Sequence, residues 1–248
     1  MASLSTTQKI LFYYGLSMVI ALAITYLWSW FDLRTLRDVG IWAKPMKFMA
    51  ATAVFCITTV WLTTLVNATV GASAAFKVVA ALIIITSLFE VAYISLQAAR
   101  GEPSHYNKND AFHIFMFALM GVMAVGLTAS QAWLAWLIWS DLGDAPLSAT
   151  TLGVLLGLVL TFVLATVSGF QLGGHQPPSG VGLALVGWHW KNDLRPAHFL
   201  GVHAQQLIPL AGLLAERFLG AHALAGLGSF AAVYLAAWGS LTWLGLVT

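Results

Sequence analysis

Charge is what this chain most lacks. Asp, Glu, Lys and Arg make up 8% of its 248 residues, against 60% hydrophobic residues. A soluble domain covers its surface with about a quarter charged residues, so an ordinary water-soluble enzyme is excluded. The net charge is only +2, and no basic run interleaved with aromatics occurs, which sets nucleic acid aside as a partner. Cysteine is nearly absent: Cys56 stands alone in an apolar run, so no intramolecular disulfide can form and the thiol reads as a small buried hydrophobe. The opening MASLSTTQKI has neither the basic region nor the cleavage site of a signal peptide, so the first apolar run is expected to remain as an anchor. No lipidation box, no GxSxG elbow and no internal repeat is present, and the last absence counts against an inverted-repeat transporter.

What fills the chain instead is a series of apolar runs near the ~20 residues that a bilayer requires. They cover 9–31, 46–68, 75–99, 111–139, 148–169, 196–216 and 221–246. The expected fold is all-α: a polytopic membrane protein forming a single domain over 1–248, a seven-transmembrane-helix bundle with the lipid bilayer as its first partner. These runs are apolar on most faces, so packing between them must use small residues and polar contacts; Gly153 and Gly157 form one GxxxG. Lys9, Lys77 and Arg217 fall on the N-terminal side of the alternation. Arg34, Arg37, Lys44, Lys47, Arg100, Lys108, Lys191 and Arg195 fall on the other. The positive-inside rule then puts the N-terminus outside and the C-terminus in the cytoplasm. The longest loop, 171–193, is turn-rich, and its apolar patch VGLALVGW could dip back as a re-entrant segment.

Polar residues inside such runs carry the chemistry, because each costs several kcal/mol (~2–7) unless partnered. In the third run Thr86, Glu90, Tyr93, Gln97 and Arg100 follow at helical steps and share one face. Glu90 lies roughly 15 Å from Arg100 along the axis, and an intramembrane acid reads as a proton carrier, a ligand-binding carboxylate or an interhelical hydrogen bond. The second run opens with AKPMKF, whose Lys44 and Lys47 are either interfacial anchors or cations for an anionic headgroup, substrate or propionate. Between the third and fourth runs, 99–110 carries Glu102, Ser104, His105 and Asn107; a turn with capping Ser and Asn is the plain reading. His113, Met116, Met120 and Met123 form a stripe that packing accounts for, with haem or copper ligation as the alternative.

The densest run is 188–210, WHWKNDLRPAHFLGVHAQQLIPL, with Asp193, Arg195, His198, His203, Gln205 and Gln206. His198 and His203 are five apart, roughly 140° around a helix, so they cannot ligate one metal from a regular helix. Six of the seven histidines fall in the same half as Glu90, Arg100 and the basic loops. That partition points to one cavity between the second, third, fourth and sixth runs.

The AKPMKF start, the run from Glu90 to Asn107 and the run from Gly187 to Gln206 together resemble a family of uncharacterised bacterial seven-helix membrane proteins. The resemblance implies a bacterial inner-membrane setting and brings no activity. The chain lacks the last-helix lysine of microbial rhodopsins, and His198 and His203 do not have the HxxxH spacing of membrane zinc hydrolases.

Four functions fit these residues. In a membrane redox protein, haem b or a quinone would be held by His203 with His113 or His198, with Lys44, Lys47, Arg100, Arg195, Gln97 and Gln206 around it. In an enzyme acting on a lipid or small anionic substrate, metal-dependent or not, Glu90 or Asp193 with His198 and His203 would handle protons or metal, and the lysines and arginines would hold the anion. A proton-coupled transporter would use Glu90 as carrier. A structural subunit would turn its polar face to another membrane protein.

Overall fold

The computed structural model describes residues 4–66, 68–144, 146–183 and 186–247. Among the described residues the fold is all-α apart from one two-residue-per-strand hairpin. Its helices are α1 (Thr6–Trp28), α2 (Ala43–Val66), the short α3 (Ala68–Ala72), α4 (Ala74–Arg100), α5 (Ala111–Leu142), α6 (Ala149–Gly174), α7 (Arg195–Leu219) and α8 (Ala223–Leu246). The hairpin, β1 (Thr35–Leu36) on β2 (Val39–Gly40), is antiparallel and lies between α1 and α2. Among the described residues six stretches are long and apolar enough to cross a membrane, as a multi-pass membrane protein requires. The last of them, Arg195–Leu246, holds α7 and α8 joined through the 3-10 turn Gly220–His222.

Local chemistry sets the helix ends. Ser5 and Gln8 form a reciprocal capping box at α1, while Ser73, Asp110 and Ser148 cap α4, α5 and α6 through the amides of Phe76, His113 and Thr151. Each supplies an acceptor to an N–H that the first helical turn leaves free. Gly101 ends α4 with φ 75°, the left-handed turn that glycine adopts without penalty. α6 runs five residues beyond the expected 169, and α7 three beyond the expected 216.

The closest pair is α6 with α7, and glycine makes it so. A Cβ on Gly212 would stand 2.4 Å from the Ala149 carbonyl oxygen, and one on Gly201 would stand 2.7 Å from the Ala165 nitrogen. The GxxxG residues Gly153 and Gly157 receive Ile208 and the Pro209 ring from α7. Small residues let the backbones touch where no hydrophobic effect drives helices together. α2 packs against α1, α4, α6 and α7, and among the described residues no extensive α4–α7 contact forms. The third and sixth expected runs are therefore linked through the helices between them, α2 on one side and α5 with α6 on the other.

The described part of the 181–188 patch forms a turn. The Leu183 amide donates to the Trp188 carbonyl at 2.8 Å and the Gly187 amide to the Leu183 carbonyl at 2.7 Å, closing a turn. Val181 is exposed. Ala184 and Leu185 of that patch, like Asn67 at the end of the second expected span, lie outside the described residues.

Candidate functional site at the charged end

One end of the bundle gathers the starts of α2, α5 and α7 and the ends of α4 and α6. Arg34 reaches the Ala99 carbonyl there at 3.1 Å, and the Asn192 amide reaches Leu244 at 3.2 Å. Most of the polar residues singled out in the sequence lie at or just below this end.

Its centre is Lys44, in the first turn of α2. Nζ donates to Ser104 Oγ at 2.9 Å, and Ser104 Oγ lies 3.2 Å from His105 Nδ1. Ser104 is buried. The His105 ring packs between Phe48 and Phe117, with centroid distances of 6.3 and 5.7 Å. Enclosure by these rings, and then the Lys44 charge, hold the His105 imidazole well below its usual pKa, so it is neutral near pH 7. Glu90 is buried on α4, and the charge that acts on it is that of Lys44; among the described residues its carboxylate accepts no hydrogen bond. Thr86, Tyr93 and Gln97 are buried on the same face, as the spacing requires, while the Arg100 side chain at the end of that face is 54% exposed and 3.8 Å from Glu102.

Lys44 also feels Arg37 and Arg195, and Lys47 feels Arg195 and Asp193. Four cations thus converge. Arg37 donates to the Pro177 carbonyl, Lys47 to that of Val186 at 2.6 Å and Arg195 to that of Gly187 at 2.8 Å. Tyr106 adds bonds to the carbonyls of Leu172 and His175. The long loop after α6 is therefore strapped to the charged end largely by cations that hold neutral carbonyls. Burial raises the Tyr106 phenol to about 12, so it stays a donor.

Asp193 is already spent. It takes a fork of bonds from Arg195, the closest at 2.6 Å, and accepts the amides of His189 at 2.8 Å and Arg195 at 3.0 Å. Burial pushes its pKa up, but the guanidinium and the amides outweigh that and hold it below the usual carboxylate range. Its place is to fix the entry into α7 rather than to exchange protons.

The two α7 histidines point different ways. His198 Nδ1 lies 3.1 Å from Ser168 Oγ on α6, against Gly169. Ser168 already donates to the Leu164 carbonyl at 2.6 Å, so His198 is the donor in this pair. His203 Nδ1 lies 3.2 Å from Gln206 Oε1, whose amide nitrogen reaches Thr58 on α2 at 3.4 Å. In both rings Nδ1 carries the proton and Nε2 is left as an acceptor. His105, His198 and His203 act electrostatically on one another in that order, so a polar row runs from Lys44 down to Thr58.

His113 does not join this row. It lies at the start of α5, 2.8 Å from Asp110 and 3.2 Å from Glu102, and Glu102 also receives Gln97 at 3.4 Å. Pairing with His203 across one ligand, an expectation from the sequence, has no support in this placement. Of its stripe, Met116 and Met120 pack around Tyr93 and Ile94, which is the packing reading. Among the described residues no group of three or more His, Cys, Asp or Glu gathers in a way that could hold a metal ion. A surface hollow of about 470 Å³ lies away from this row, between Ile24, Leu27, Trp28 and Phe31.

Sequence reasoning passed over Arg37, Tyr106 and Ser168 and left Ser104 and His105 as a turn. The only signal for them was polarity close to the span ends. Compared with family models, curated proteins and solved structures, the chain matches none.

Proposed function

We propose that the chain crosses a bacterial inner membrane seven times, with its N-terminus outside. In this reading the charged end is a cytoplasmic site for an anionic amphiphile, a lipid or small acid bearing phosphate or carboxylate, on which a membrane-embedded enzyme moves protons. The seventh crossing comes from counting α7 and α8 separately, since each has the length of a span at 25 and 24 residues.

The observation that carries this reading is the imbalance of charge. Arg37, Lys44, Lys47 and Arg195 act on a common region, and the carboxylates acting on Lys44 and Lys47 are Glu90 and Asp193, the latter already committed to Arg195. Arg37 and Lys47, which hold only main-chain carbonyls, exchange them readily for an anionic oxygen, because a charge-assisted bond is roughly twice as strong. Glu90, His105 and His198 then supply proton-accepting groups beside the bound anion. Native mass spectrometry of the detergent-purified protein with equal phosphatidylglycerol and phosphatidylcholine tests it. Selective retention of the anionic lipid supports the site, and equal retention removes it.

A second reading, a quinone site, is favoured by one observation. His203 is half-buried, its ring lies 4.1 Å from that of Phe199, Phe199 lies 5.1 Å from Trp188, and Nε2 is an open acceptor. A hydroquinone hydroxyl arriving from the bilayer could donate there. The haem b form of the redox reading fits less well, since His198 and His203 leave α7 roughly 140° apart and His113 stands with Asp110 and Glu102. An absorption spectrum, oxidised and dithionite-reduced, separates the forms: a Soret band would restore haem. A role as a proton-coupled transporter or as a subunit bound to another membrane protein draws no comparable support.

A further inference from the structure

We infer that Ser104 is a nucleophile that attacks a carboxylic ester, with His105 as its base and Lys44 holding the serine oxygen. This rests on the reading that the charged end admits an anionic amphiphile, and it names the bond broken there. A serine that merely caps a turn gives its oxygen to a main-chain amide, as Ser73 and Ser148 do. Ser104 differs: among the described residues its Oγ bonds are to Lys44 Nζ and His105 Nδ1. Asn107 is the residue that caps this turn, accepting the Asn109 amide at 3.2 Å.

The polarity of these bonds is the one that activation needs. Lys44 has no acceptor, so it donates to Oγ and favours negative charge there. In the tautomer with Nδ1 unprotonated the hydroxyl proton points at it and the neutral imidazole takes it, in competition with the bond the imidazole can make to the Ser104 main-chain carbonyl. Tyr106 follows with φ 58°, a left-handed backbone that aromatic residues rarely adopt, which makes the turn sharp just after the base. On the same turn Asn107 Nδ2 is buried and has no hydrogen-bond partner. An unpaired buried donor costs stability unless something accepts from it, and an ester oxygen gaining charge is such an acceptor. Phe48 and Phe117 beside His105 offer an apolar wall for an acyl chain, and Arg37, Lys47 and Arg195 a hold for the acid group.

The step balances. Ser104 Oγ bonds to the carbonyl carbon as its proton passes to His105, the ester C–O bond breaks, and the leaving alcohol takes that proton. Water then attacks the acyl-serine, giving a proton to His105 that returns to Oγ, and a carboxylic acid leaves.

The test uses the full chain in nanodiscs with an alkyl fluorophosphonate, mapping the modified residue by peptide mass spectrometry. Phosphatidylglycerol retention is measured on the same samples. The expected result is a label on Ser104, slowed at least ~100-fold in His105→Ala and lost in Ser104→Ala. If Ser104→Ala unfolds, Ser104→Cys replaces it, with thiol alkylation slowed by His105→Ala as the expected outcome. Folded wild-type protein that retains the anionic lipid but carries no label on Ser104 overturns the nucleophile alone, as does a labelling rate indifferent to His105→Ala. A label without lipid selectivity overturns the anion site and leaves the nucleophile standing.

Discussion

Lys44 Nζ and Ser104 Oγ meet at 2.9 Å although 60 residues separate them. The contact ties the first turn of α2 to the turn that follows α4, and it brings a cation, a hydroxyl and an imidazole into one line. Around it the charged end is held less by paired charges than by cations gripping a loop's carbonyls.

Asp193 should be the most costly acid to lose. Its buried carboxylate joins Arg195 to two backbone amides, so Asp193→Ala strands a guanidinium and two N–H groups. Arg195 is 30% exposed and can rehydrate in part, so the expected loss is about 2–4 kcal/mol rather than the upper figure for a buried pair. Thermal unfolding in detergent reads this directly, and an unchanged midpoint would deny Asp193 its part in fixing α7.

The α6–α7 seam gives a steric prediction. Gly212→Ala and Gly201→Ala drive a methyl into backbone and should each cost about 1–3 kcal/mol. Gly121→Ala meets nothing within 4 Å and should be neutral or stabilising by up to about 1 kcal/mol. Equal melting temperatures for the three variants would contradict the packing described.

Acid should weaken the fold through His105. Its pKa falls on folding, because burial and then Lys44 penalise the charged ring. The unfolded chain therefore binds the proton more readily. The stability that the neutral ring contributes is complete above about pH 6.5, the ordinary value for histidine, and is lost progressively as pH falls below it. The melting temperature should drop between pH 7 and pH 5, and His105→Phe should flatten that part of the profile. A profile identical in the variant would show that the proton goes elsewhere.

Much of this was legible in the sequence, and the reason is the solvent. A bilayer demands long apolar helices, so the third run, expected at 75–99, is Ala74–Arg100. The face set by Thr86, Glu90, Tyr93 and Gln97 followed from helical geometry alone and is buried throughout. The hairpin at 35–40 is too short to leave a pattern. Ser104 escaped because its partner, Lys44, is near only after α2 packs on α4. His113 misled in the opposite sense: helical spacing put it in a stripe, yet Asp110 and Glu102, close in sequence, engage it first.

Glu90 opposes the anion that Lys44 would bind. Glu90→Gln keeps the volume and removes that opposing charge, so anionic-lipid affinity should rise about three- to tenfold. Unchanged or weaker binding would mean that Glu90 does not share the site.

The most direct measurement is the affinity of the purified protein for fluorescent phosphatidylglycerol, in wild type and in Lys47→Met, at low and high salt. Lys47 touches the loop through Val186 and is exposed enough to lose without unfolding the bundle. The account predicts wild-type binding that weakens with salt, and about tenfold weaker binding in Lys47→Met with a shallower salt dependence. Equal affinity in the two proteins, or wild-type binding indifferent to salt, would contradict an anion site at the charged end.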